Sequence, residues 1–108
     1  MPANLFARTE EAVRAYRETA NGFEPGTPEN LSLHAKADAL STSVFLFRSQ
    51  LEGKDADVAN KNIALIHTVM DTWIQNNAGS GDDTKEASAE GFQQAKKYLE
   101  EESFVPVS

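Results

Sequence analysis

The chain has 108 residues, no cysteine, a net charge of −7 and about 40% apolar residues. That is the length of one domain with material for one core, and it excludes disulfides, thiolate catalysis and thiolate metal sites. No apolar run exceeds that of residues 44–47 in length, far short of the roughly 20 needed to cross a membrane. The start lacks a basic stretch followed by an apolar one, so no export signal is read and a small soluble, cytoplasmic protein is expected.

A first helix is expected over about 4–20, with Asn4 as N-cap and Phe6, Val13, Tyr16 and Ala20 on one face, Leu5 and Ala12 beside it. Asn21-Gly22 reads as its stop, through a left-handed glycine. The second helix opens on Thr27-Pro28-Glu29, a capping hydroxyl, a proline that loses nothing in the first turn and an acid at the positive helix end. It should run over about 28–51, with Gly53 just beyond. Its inward residues Leu33, Ala37, Leu40, Val44, Phe47 and Leu51 are spaced 4-3-4-3-4.

After a short turn, Asp55 or Asp57 caps a third helix over about 56–76. Its seam is Ala59, Ile63, Ile66, Met70 and Trp73, spaced 4-3-4-3. Two such seams joined by a tight turn predict an antiparallel helical hairpin. Residues 77–83 form a glycine-rich flexible linker. Asp83 and Glu86 match a capping box for a fourth helix over about 84–102. Its stripe is thin, Gly91 weakens it by about 1 kcal/mol, and its acids crowd the wrong end of the helix dipole. It is expected to be the least stable element. Residues 103–108 are an extended apolar tail that either tucks under the bundle or enters a partner. The fold class expected is all-α: a single-domain four-helix bundle built on a central hairpin, or a dimer of hairpins.

Charge narrows function. Residues 77–108 hold seven acids against three lysines, a net −4. No basic face exists to neutralise phosphates, so no nucleic-acid partner is expected. The acidic surface suits a partner with a basic one.

Candidate chemistry is sparse. His34 with Asp38, and His67 with Asp71, repeat an i, i+4 spacing that could supply four metal ligands. A fold-back near Lys54 would leave the two pairs about 10 Å apart along the axis, so pairing on a wet helix face is expected instead. Ser41, Thr42 and Ser43 lack a general base and oxyanion donors beyond His34 and Asp38. Small residues letting helices approach is the better account of them. No enzymatic activity, cofactor or metal is expected.

His34-Ala35-Lys36-Ala37 on a long helix resembles the histidine phosphotransfer domains, four-helix bundles of similar size. In that family the lysine falls three residues after the histidine, whereas Lys36 falls two after. Ala37 and Asp38 follow where a glycine or serine is usual, and the aspartate would repel a phosphate. The resemblance covers a few residues and implies a phosphocarrier using His34 as a third reading.

The favoured expectation is a non-catalytic module that binds another protein, of inhibitor, immunity, chaperone or adaptor type. Phe45, Leu46, Leu65 and Val69 lie off the two seams and need a second cover. Trp73 sits on the seam near the open end, as core or as interface anchor. With Phe104 of the tail, these are the expected partner-binding residues. The alternative is self-assembly as a homodimer, burying Phe45, Leu46, Leu65 and Val69 against a second copy.

Overall fold

A computed structural model describes residues 2–102. They form α1 (Pro2–Ala20), α2 (Pro28–Leu51), α3 (Ala56–Asn77) and α4 (Asp83–Glu102), an all-α four-helix bundle. The body measures 48 × 26 × 19 Å.

Local signals set most of the helix ends. Thr27 accepts from the Asn30 amide at 3.3 Å, and Pro28 opens α2. Asp55, not Asp57, caps α3 by accepting from the Val58 amide at 3.0 Å. Gly53 takes φ 75°, a left-handed turn that glycine alone makes without strain.

Three ends differ from expectation. Helix α1 starts at Pro2, so Asn4 lies inside it. At its other end Gly22 is not left-handed; the chain leaves by two tight bonds, Gly22 N to Thr19 O and Phe23 N to Ala20 O, both 3.0 Å. The cap of α4 is Asp82, one residue earlier than expected. Its Oδ1 accepts from the Thr84 and Lys85 amides at 2.9 and 3.1 Å, and Glu86 reaches back to the Gly81 amide at 2.9 Å.

The link from α1 to α2 is held by a residue with no sequence signature. Asn30 is buried; its Nδ2 donates to Ala20 O at 3.0 Å and its Oδ1 accepts from the Gly26 amide at 3.3 Å. One side chain thus satisfies a carbonyl at the end of α1 and a donor of the loop.

Both seams point inward, yet they do not form a private zipper. They feed a core shared by all four helices, with Leu5, Leu40, Phe47, Ile66, Met70 and Leu99 inside. Helix α2 is the hub. It packs most extensively on α4 and α1 and less on α3, and among the described residues no Cα of α1 lies within 8 Å of α3.

The α2–α4 approach depends on small residues. A Cβ on Gly91 would lie 2.7 Å from Lys36 O and 2.9 Å from the Ala39 Cβ, so the two backbones are nearly in contact. Buried Ala35, Ala39, Ala87 and Ala95 line the same two helices. The fourth helix is thus packed more fully than its thin stripe suggested. Helix α4 buries six residues, including Phe92 and Leu99, whereas α3 buries only Ile66 and Met70. The acids at the end of α4 also find a partner on α1. Arg8 bridges Glu101 at 2.7 Å and Glu102 at 3.0 Å, its guanidinium 4.2 Å above the Tyr98 ring.

Candidate protein-binding surface

Helix α2 and the lightly buried α3 carry most of the exposed large apolar residues, and Phe23 of the α1–α2 loop adds one more. Phe45 is 76% exposed and Leu65 49%. Leu46, Val69 and Trp73 are half-buried, and Leu46 and Trp73 pack against the core. Trp73 tilts onto Phe92 with ring centroids 5.1 Å apart, a core contact in which the indole is half-buried. Phe104 and the tail lie outside the described residues. Two further positions complete the α3 edge and the α1–α2 end: Val58, seven residues before Leu65 on the same side of the helix, and Leu31. The Val58–Leu65 spacing was readable as a second stripe; nothing local marks Leu31.

Between α1 and α2 runs a groove of about 290 Å³ with Val13, Ser41, Val44 and Phe45 along it. Cross-helix ion pairs bracket it. At one end Arg48 binds Glu10 at 3.0 Å and also Glu52 at 3.0 Å. At the other, Arg17 binds Asp38 at 2.6 Å and reaches the His34 Nδ1 at 3.1 Å. A guanidinium has only donors, so Nδ1 is the acceptor in this contact.

The two His/Asp pairs do not converge. Asp38 goes to Arg17, and Asp71 goes to Lys96 of α4 at 2.5 Å. Among the described residues no group of three or more acids and histidines is placed to hold a metal. The hydroxyls of the 41–43 run serve the backbone: Thr42 donates to Asp38 O at 2.9 Å and buried Ser43 to Ala39 O at 2.8 Å. Ser41 lines the groove, where Arg48 and Glu10 are ionic partners of each other. A second hollow of about 220 Å³, beside Lys36 and the start of α4, is lined by Asp83, Glu86 and Glu90, with Lys36 Nζ 3.1 Å from Glu90.

At the head of α4 the Asp82 carboxyl is held below the usual aspartate range. The Lys85 amide is the largest cause, with the Thr84 hydroxyl and amide next. Its ionised form is what caps the helix.

No protein-family model, curated protein or solved structure matches the chain. Among the described residues no helix is long and apolar enough to cross a membrane.

Proposed function

We propose that the protein is a non-catalytic module that binds another protein through the open side of α3. The observation that carries this reading is the incomplete burial of an amphipathic helix. Leu65 and Val58 are 49% and 40% exposed, with Val69 half-buried on the same edge. Burying a leucine or valine fully is worth about 1.5–3 kcal/mol, so a cover for this edge is favoured. The cover is an apolar stripe on a partner. A net charge of −7 favours a basic surround on that partner. Trp73, with one face on Phe92, would anchor the contact.

The test is comparative capture from an extract of the source organism, with the wild-type chain and a Leu65→Glu variant shown by circular dichroism to keep its helix content. A protein retained by the wild type and lost with the variant supports the reading. Equal retention by both, or retention of a metal or small molecule alone, overturns it.

A further inference from the structure

The outer face of α2 carries a second 4-3-4-3-4 series: His34, Asp38, Ser41, Phe45, Arg48 and Glu52. These positions share one side of a helix, and Glu52 follows directly on the last helical residue. The side is open: Phe45 is 76% exposed, and the Asp38 and Glu52 side chains are 69% and 58% exposed. The series is symmetric about residue 43. Reversed on itself, it sets Phe45 against Ser41, Asp38 against Arg48 and His34 against Glu52. A large knob thus meets a small residue, and an acid meets a base.

Helix α1 repeats the symmetry. The ion pair at one end of the groove has its acid on α1 (Glu10) and its base on α2 (Arg48); the pair at the other end has its base on α1 (Arg17) and its acid on α2 (Asp38). A two-fold axis crossing the groove lays each pair over the opposite one. Arg48 then faces Asp38 of the second copy, and Glu10 faces its Arg17, so each charge of the two bracketing pairs meets its opposite. The groove of about 290 Å³ beside Ser41, Val13 and Val44 receives the other copy's Phe45.

From this self-complementarity we infer that the protein associates with a second copy of itself, α2 lying antiparallel on α2 about residue 43. The interface is isologous. The α1–α2 layer is about 30 Å long by helical rise and about 20 Å wide, two helix diameters. That is about 600 Å² per copy, the lower end of specific interfaces, and it makes a weak, reversible dimer. The inference goes beyond the partner-binding reading and does not rest on it, because Leu65 and Val58 stay uncovered.

Sedimentation velocity from about 1 to 500 μM, the span over which a weak pair dissociates, tests the association. A monomer–dimer shift is expected, with the dissociation constant raised about tenfold or more by Phe45→Ala and unchanged by Leu65→Ala. A chain monomeric throughout that range, or a dimer indifferent to Phe45→Ala, overturns the inference. The register is tested by oxidative cross-linking, which the absence of native cysteine makes clean. Asp38→Cys mixed with Arg48→Cys is expected to give a mixed disulfide-linked dimer. Asp38→Cys cross-linking preferentially to itself overturns the antiparallel arrangement.

Discussion

Replacing Gly91 by alanine separates local preference from packing. Helix propensity alone favours alanine at a mid-helix position by about 1 kcal/mol. The structure puts the new methyl 2.7 Å from Lys36 O and 2.9 Å from the Ala39 Cβ. Carbon atoms in contact settle at about 3.5–4.0 Å, so the Ala39 approach is short by more than half an ångström. A backbone carbonyl cannot rotate aside, so α2 and α4 must part along their length. Overpacking of this kind costs about 1–3 kcal/mol, and the flanking alanines lose contact as the helices separate. The two terms leave a net loss of about 0–2 kcal/mol, and the lost contacts of the flanking alanines place it in the upper half of that range. For a domain near this size that lowers Tm by about 5–10 °C. Urea unfolding followed by far-UV circular dichroism measures it, with a lower midpoint and an unchanged slope expected. A variant as stable as the wild type, or more stable, would refute the close approach of α2 and α4. Ala39→Gly carries its own propensity cost of about 1 kcal/mol, but the double variant should lose less than the sum of the two single changes, because one of the two clashes is gone; strict additivity would contradict the geometry.

Three further outcomes follow from single side chains. Asn30→Ala removes the side-chain bond to the Ala20 carbonyl, which keeps the Phe23 amide, and the acceptor of the Gly26 amide, and urea titration should show a loss of about 0.5–1.5 kcal/mol; a change below about 0.3 kcal/mol would count against the link. The Asp82 carboxyl titrates below its unfolded value, so its stabilising effect is present above the unfolded pKa and is lost as pH falls through the folded one. Carbon-detected NMR titration should place its midpoint under the ordinary aspartate range, Asp82→Asn should flatten the acid limb of the stability curve, and a midpoint at or above that range contradicts the cap. Trp73 is the sole tryptophan and rests on Phe92, so Phe92→Ala should red-shift its emission and cost about 3–5 kcal/mol; an unshifted spectrum would place the indole elsewhere.

How much of this was legible depended on the range of the forces involved. The start of α2 was, because Thr27, Pro28 and Glu29 act within one turn of themselves. The inward seams were legible as well, since a period of 3.5 residues marks a buried face whatever covers it. The partner of each seam was not. Leu40 and Ile66 enter one core, but only the three-dimensional path shows α4 drawn in against α2 ahead of α3. Gly91 illustrates the reason: read locally it weakens a helix, while across space it is the residue that lets two helices meet. The same holds for the acids closing α4, which look unfavourable until Arg8 arrives from the far end of the chain. Asp82 and Asp83 are chemically identical neighbours, and the reach of Glu86 to Gly81 distinguishes them.

The surface was read with mixed result. Phe45 and Leu65 stand out in the water, as apolar residues off a seam should. Leu46, off the seam, turns half inward, because the side of α2 facing the core is wider than one 4-3 stripe; Trp73, on the seam, packs on Phe92 and stays half-buried. The ion pairs that bracket the α1–α2 groove join residues 21 and 38 positions apart. No local pattern announces them, although the palindromic spacing on α2 was present in the sequence.

The central claim is the arrangement itself, with α2 pressed against α4 at Gly91 and α1 and α3 held apart on either side. Nuclear Overhauser spectroscopy of isotope-labelled protein measures it most directly. Strong cross-peaks are predicted from the Gly91 α-protons to the Ala39 methyl and the Lys36 α-proton, with none between backbone amide protons of α1 and α3. Missing Gly91 peaks together with backbone cross-peaks between α1 and α3 would contradict the account.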